Sequence, residues 1–395
     1  MSEYIQLPYQ LAWPFALALA WILGELVHRW VGLPRISVYG LTGFVFGNMA
    51  AGFLPTSETQ MAVLVTDVAF GLMLFEVGYR INLHWLRINP WIAVTGLVEA
   101  VGTFAAVYAV ARWFAMSPLI ALLLASFAMS TSPAGVLRVL NEQRSAGQVT
   151  ERVLHLCAMN TVLAVFSFKV IVGFGLYQTS GNVFDAIWNS LAVLAVSIAL
   201  GGLLGVAVPA LLRALHTPGA DATLPFAIAV ILLVAVTHTL KFSPVLATLT
   251  FGLVARHRRI TLGRTQRNFG LAGDLLALAL FFFVSTTIEW PHVVSGLGLA
   301  VTIFLVRFIV KTAGVTAFAH LSGISWRKGL LTGMALSPMA VFTLVALEQT
   351  RRLGVDLVDA IAPLAALTLM MEVLGPVLTQ RALILANETQ NEMQG

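Results

Sequence analysis

The sequence predicts an all-α integral membrane protein of about thirteen transmembrane helices, arranged as two inverted repeats. Composition, an uneven distribution of basic residues between alternate loops, and two motifs recurring at nearly one offset lead to that reading. Of 395 residues, 58% are hydrophobic and only 10% are charged, and the mean hydropathy is +0.88. Soluble domains carry roughly 25% charged residues. No soluble fold of this length could hide so much apolar surface, so lipid must be the solvent.

A spanning helix needs roughly 20 apolar residues. Runs of this kind lie near 11–27, 36–52, 60–78, 90–111, 118–140, 150–176, 184–212, 222–240, 243–255, 270–288, 292–319, 328–348 and 358–380. The 36–52 and 243–255 runs are short and rich in Gly or Pro. Neither a linker nor a soluble domain interrupts the series, so 1–395 reads as one membrane domain. Repeat one covers about 11–176, a linking helix 184–212, repeat two 222–380, and a short polar tail 382–395. The first run follows no basic n-region and precedes no small-residue cleavage site, which makes it a retained span. The single cysteine, Cys157, lies within an apolar span and reads as a packing residue.

Alternate loops differ in basic content. One set holds sixteen Lys and Arg residues, from Arg29 and Arg35 through the cluster at Arg256–Arg267 to Arg327, Lys328 and Arg381. The other set holds four: Arg112, Lys241, Arg351 and Arg352. Under the positive-inside rule the N-terminus lies outside and the C-terminus in the cytoplasm. Topology therefore accounts for the net charge of +5, and nucleic-acid binding has no place in the account.

The stretch Asp67–Ile81 repeats at Asp274–Ile288 with Asp, Phe, Val and Ile in register at an offset of 207, and Ser132-Pro133 repeats at Ser337-Pro338 at 205. An offset of seven spans is odd, so the two copies cross the membrane in opposite directions. Met129-Ser-Thr-Ser-Pro-Ala-Gly135 concentrates hydroxyls, Pro and Gly in mid-span. Pro removes a backbone donor there and Gly adds freedom. Such backbone survives at membrane depth only when buried in protein or lining a wet cavity. Spans five and twelve are therefore expected to break near Ser132 and Ser337.

Several motifs resemble the monovalent cation/proton antiporter superfamily, in its Kef-type sodium/hydrogen exchanger branch. They are Leu33-Pro-Arg-Ile36 with Gly40-Leu-Thr-Gly43 and Gly47, then Leu74-Phe-Glu-Val-Gly78, Thr131-Ser-Pro133, Phe282-Phe-Val-Ser285 and Lys311. The likeness runs through nearly the whole chain. It implies a dimerising panel domain and a core with two crossed, broken helices. It also implies alternating access that swaps a monovalent cation for protons in a bacterial-type inner membrane. Active members carry in the sixth span a pair ending in aspartate. Here that pair is Asn160-Thr161, and threonine cannot titrate or neutralise a cation. The resemblance places the ion site at Thr131, Ser132, Asn160, Thr161 and Ser337.

Ionisable groups at bilayer depth are costly and mark function by default. Asp67, Glu76, Glu99 and Glu372 lie within spans, as do Arg307 and Lys311, whose i, i+4 spacing puts both cations on one helical face. These six form the candidate proton-coupling or charge network, with Arg307 or Lys311 expected within reach of Glu99, Glu76 or Glu372. Glu25 and Asp274 sit nearer cytoplasmic ends, where His28, Arg29 or loop arginines can pair with them. Lys169 is expected to snorkel outward, and His155, His238 and His320 to be unliganded surface groups. Gly201, Gly202 and Gly205 suit close helix packing. The sequence has no nucleotide-binding glycine loop, metal-ligand cluster or nucleophile–base pair, so neither an enzyme nor a cofactor is expected.

The leading reading is exchange of sodium or potassium for protons, with the titrating carboxylate displaced to Glu76, Glu99 or Asp67. The expected partners are a monovalent cation, protons, lipid and a second copy of the chain. Two alternatives remain. One is an anion or proton-coupled anion carrier that uses Arg307, Lys311 and half-helix N-termini. The other is a transport-inactive sensor on the same scaffold.

Overall fold

A computed structural model describes residues 9–49, 60–180, 183–214, 223–258, 269–339 and 362–389, and all regular structure among them is helical. In chain order the helices are α1 (Tyr9–Val31), α2 (Arg35–Met49), α3 (Gln60–Arg80), α4 (Leu83–Ile88), α5 (Pro90–Trp113), α6 (Pro118–Met129), α7 (Pro133–Glu142) and α8 (Gln148–Ser180). They continue as α9 (Val183–Ala214), α10 (Thr223–Thr239), α11 (Pro244–Arg256), α12 (Gly270–Thr286), α13 (Trp290–Ala317), α14 (Trp326–Ala335) and α15 (Ala362–Leu385). Seven helical segments among the described residues are long and apolar enough to cross a membrane. The second half of the twelfth expected span lies outside the described residues.

The packing is that of a membrane bundle. Along α13, Leu297, Val301, Leu305 and Ile309 are exposed, whereas Ala300, Ile303, Arg307 and Lys311 are buried. Its apolar face thus points outward and its charged face inward, the reverse of a soluble amphipathic helix. α3 is buried on two faces. Ala69, Phe70, Met73 and Val77 join the larger core, while Val68, Leu72, Phe75 and Tyr79 join a smaller one with residues of α9, α10 and α11. Val68, Leu72, Phe75 and Tyr79 follow helical spacing, so a single stripe of α3 meets the smaller cluster. Where α2 crosses α12, Gly43 and Gly47 lie against the backbone carbonyls of Phe282 and Thr286, with no room for a Cβ. The Gly-rich second span is what this close crossing requires.

Several expectations change at the bundle end that carries most of the basic residues. Arg80, Arg138 and Arg152, counted among loop residues, stand inside α3, α7 and α8 and are buried. His155 is not a surface group; it is buried. Its Nδ1 lies 2.7 Å from the Glu151 carbonyl and its Nε2 accepts from the Asn82 N–H at 3.1 Å, while its ring stacks near Trp85. The sequence missed α4, a short helix that begins where Asn82 Oδ1 caps the N–H groups of His84 and Trp85. Glu25 pairs with Arg35 at 2.8 Å and Asp274 with Arg138.

Candidate functional site

The fifth expected span is two helices. α6 stops at Met129, Ser130 and Ser132 are extended, and α7 starts at Pro133. Pro133 cannot donate to the preceding turn and forces the residue before it out of helical conformation. Ser132 then serves as N-cap, its Oγ accepting from the Gly135 N–H at 3.0 Å. α14 likewise ends at Ala335, and residues 336–339 are not helical. The two interruptions meet: the Ser132 N–H donates to the Pro338 carbonyl at 2.9 Å, and Thr131 Oγ1 donates to that of Leu336 at 3.4 Å. Gly375 of α15 packs so tightly behind them that a Cβ there would stand 2.7 Å from Pro338 Cα.

A broken helix leaves carbonyls unpaired at its C-terminal end, where the backbone dipole is negative. The ends of α6 and α14 converge, and α13 answers both from its buried face. Arg307 Nε donates to the Ala128 carbonyl at 2.7 Å and Nη2 to that of Ser130 at 2.7 Å. Nη2 also reaches the carbonyls of Leu336 at 3.3 Å and Pro338 at 3.2 Å, while Nη1 donates to that of Ser337. All three guanidinium nitrogens therefore donate to backbone carbonyls, and the fork ties the two breaks together. Lys311, one turn on, donates from Nζ to the Met129 carbonyl at 3.0 Å and lies 3.4 Å from Thr131 Oγ1.

Lys311 also forms an ion pair with Glu99, and both side chains are buried. Glu99 reaches it because α5 crosses α13 at Gly314, where a Cβ would come 3.3 Å from Glu99 Cα. One carboxylate oxygen takes the lysine; the other, Oε2, is buried without a hydrogen-bond partner. From α8, Asn160 Nδ2 donates to Thr131 Oγ1 at 3.2 Å, and its Oδ1 is a second buried acceptor without a partner. Thr161 Oγ1 bonds to the Cys157 carbonyl at 2.8 Å and lies 3.3 Å from that of Thr131. Thr131 is thus the meeting point of α8, α13 and both breaks.

Of the residues singled out in the sequence, Thr131, Ser132, Asn160, Thr161, Ser337, Glu99, Arg307 and Lys311 form this one cluster. The others stand apart from it. Glu76 pairs with Arg80 at 2.6 Å and accepts from Asn141 Nδ2 at 3.1 Å, toward the end of α3. Asp67 lies 3.9 Å from His238. Glu372 accepts from Ser285 Oγ. The sequence suggested no role for Asn141 or for the carbonyl partners of Arg307, because nothing local marks either contact.

A family model described as "Sodium/hydrogen exchanger, transmembrane" matches residues 15–384. Among solved structures, the sodium proton antiporter MjNhaP1 from Methanocaldococcus jannaschii at pH 8 has a similar fold. Its TM-score is 0.64 at 18% identity, covering 95% of this chain and 96% of that one. At such identity the likeness speaks to the fold. No curated protein matches the sequence. A match spanning nearly the whole chain places this protein in the transmembrane sodium/hydrogen exchanger family.

Proposed function

We propose that the protein exchanges sodium or potassium for protons by alternating access, with Glu99 and Lys311 supplying the charge change that Thr161 cannot. The observation that carries this is the pair's place beside the helix breaks. A buried carboxylate touches a lysine, and that lysine touches Thr131. Two acceptor oxygens in the cluster, Glu99 Oε2 and Asn160 Oδ1, are without partners. Hard cations take oxygen ligands, and a cation approaching Glu99 competes with the lysine for the same carboxylate. Cation and proton then exclude each other at one site, which is what obligatory exchange requires. Of the three displaced-carboxylate candidates, Glu76 is answered by Arg80 and Asn141 and Asp67 stands near His238, so Glu99 is the one favoured.

An anion carrier has less support. Each nitrogen of Arg307 already donates to a carbonyl, and Lys311 is held by Glu99. Both cations serve C-terminal helix ends, leaving little positive charge for a substrate.

The reading includes two inverted repeats, a homodimer in a bacterial-type inner membrane, an outside N-terminus and a cytoplasmic C-terminus. The contact of the two Ser-Pro breaks supports the repeats. Contacts among basic-rich segments support the sidedness: Arg35 with Glu142, Arg80 with Asn141, Arg256 with the Arg80 carbonyl, and Lys328 with Gln148. They draw loops assigned to one side onto one end of the bundle.

The test is cation-driven pH change in proteoliposomes with sodium, potassium and a chloride-only control. Wild-type protein should exchange with at least one cation, and Thr161→Ala should retain part of that activity. Glu99→Gln should lose at least about tenfold, equivalent to roughly 1.4 kcal/mol. Proton movement with no monovalent cation, together with exchange created only by Thr161→Asp, would sink the proposal and favour the sensor.

A further inference from the structure

The exchange reading leaves one buried carboxylate unused. Glu372 stands at the middle of α15 and is 4% exposed. Its Oε2 accepts a hydrogen bond from Ser285 Oγ of α12, and its Oε1 is buried with no partner at all. Gly40 of α2 closes the third side: a Cβ there would stand 3.2 Å from Glu372 Oε2 and 3.3 Å from Ser285 Oγ. Three helices thus form a cavity around one carboxyl group, and glycine is what leaves room for it.

Every charged group on the elements packed around Glu372 is answered elsewhere or exposed, among the described residues. On α2, Arg35 pairs with Glu25 and Glu142. On α12 and α7, Asp274 pairs with Arg138, and Glu142 also faces His28. On α13, Arg307 holds carbonyls, Lys311 holds Glu99, and His292 faces Glu289. On α14, Arg327 donates to the Leu385 carbonyl and Lys328 to Gln148. Arg381 of α15 itself is exposed. An ionised carboxylate at this depth, with one hydrogen bond and no cation, would be too costly to keep. A bound proton removes the charge.

We propose that Glu372, with Ser285 and the bare backbone of Gly40, forms a second proton-binding site within the membrane, separate from the Glu99–Lys311 pair. The site holds Glu372 as a neutral carboxylic acid in this conformation. The helices around it are not those around Thr131: α2 and α12 form its walls, whereas α5, α8 and α13 surround the ion-pair site. The proposal does not rest on the exchange reading, because its ligand is the proton alone.

Infrared spectroscopy of the full-length protein in lipid, titrated in water and in deuterium oxide, reads the site directly. Wild-type protein should show a protonated-carboxyl C=O band that shifts on deuteration. Glu372→Gln should lose that component, and Glu99→Gln should keep it. If Glu372→Gln does not fold, Ser285→Ala gives an independent reading. Loss of the serine hydroxyl removes a hydrogen bond at the carboxyl and should raise the band's frequency. Absence of the band in wild-type protein, its loss in Glu99→Gln, or an unmoved band in Ser285→Ala would each overturn the proposal. Because no transport is measured, a protein that exchanges nothing but keeps the band refutes the exchange reading and leaves this one standing.

Discussion

Glu99 and Glu372 are both mid-span glutamates with one orphan oxygen, yet the protein treats them differently. Glu99 meets a lysine beside two broken helices; Glu372 meets a serine hydroxyl in a glycine-lined gap. The first is a charge held by a charge, and the second, in our reading, is a charge removed by a proton. A helix break explains the difference. It supplies converging carbonyls that attract cations, and those cations then need a carboxylate. Around α15 no such break lies against the carboxyl group, so no cation is recruited.

The largest effect that separates the two is on stability. Glu99→Gln leaves Lys311 as an uncompensated buried cation and is expected to cost about 3–5 kcal/mol. Adding Lys311→Met should restore much of that loss, because a neutral pair of similar volume carries no such penalty. Glu372→Gln exchanges one neutral group for another of the same shape and should cost less than about 1.5 kcal/mol. Thermal unfolding in detergent decides it. Equal losses at positions 99 and 372 would break the comparison, since they would mean that both residues are ionised.

Arg307→Lys is the next largest change. A lysine keeps the charge but cannot bridge the carbonyls of Ala128, Ser130 and Ser337 at once. Losing one charge-assisted hydrogen bond costs about 1.5–3 kcal/mol, and loosening of the two breaks should show as faster amide exchange at residues 130–132 and 336–337. Retained stability and unchanged exchange there would mean that the fork does not hold the breaks together. Gly40→Ala acts on the other site and should cost about 1–3 kcal/mol by overpacking, through its 3.2 Å approach to Glu372. It should leave the amides beside Arg307 undisturbed.

The breaks show what the sequence could and could not reveal. Ser-Pro occurs at Ser117-Pro118, Ser132-Pro133 and Ser243-Pro244, and in each case the serine caps a helix whose first residue is the proline. The dipeptide marks a helix start wherever it falls. Only the unbroken apolar run around residue 132 turned that start into an interruption, and that run is visible in sequence. Helical periodicity likewise placed Arg307 and Lys311 on one face. It could not show that Arg307 would spend its donors on carbonyls, because those groups have the same chemistry at every residue. His155 was misread for a related reason: its partner is the backbone of Asn82, a contact set by how α3 and α8 pack.

Glu388 is a third buried carboxylate and extends the comparison. It has neither a lysine nor a proton as its answer, but the start of a helix. Its Oε1 accepts from the Val149 N–H at 2.9 Å, and its Oε2 accepts from the Thr150 N–H at 2.8 Å and from Thr150 Oγ1 at 2.9 Å. The Ala146 N–H closes the contact on the Glu388 carbonyl at 3.0 Å. The residues just after α15 thereby cap α8, the helix that carries Asn160 and Thr161. Free N–H groups and the positive end of the helix dipole stabilise a carboxylate there without any counter-charge. Glu388→Gln keeps the shape but turns one acceptor into a donor facing another donor, so a loss of about 0.5–2 kcal/mol is expected. Because the capped amides lie in the first turn of α8, hydrogen exchange at Val149 and Thr150 should rise while the amides of Asn160 and Thr161 stay protected. Unchanged exchange at Val149 and Thr150 in Glu388→Gln would show that the helix start is satisfied without this residue. It would also leave the carboxylate with no reason to be buried in the ionised form, as we have argued for Glu372.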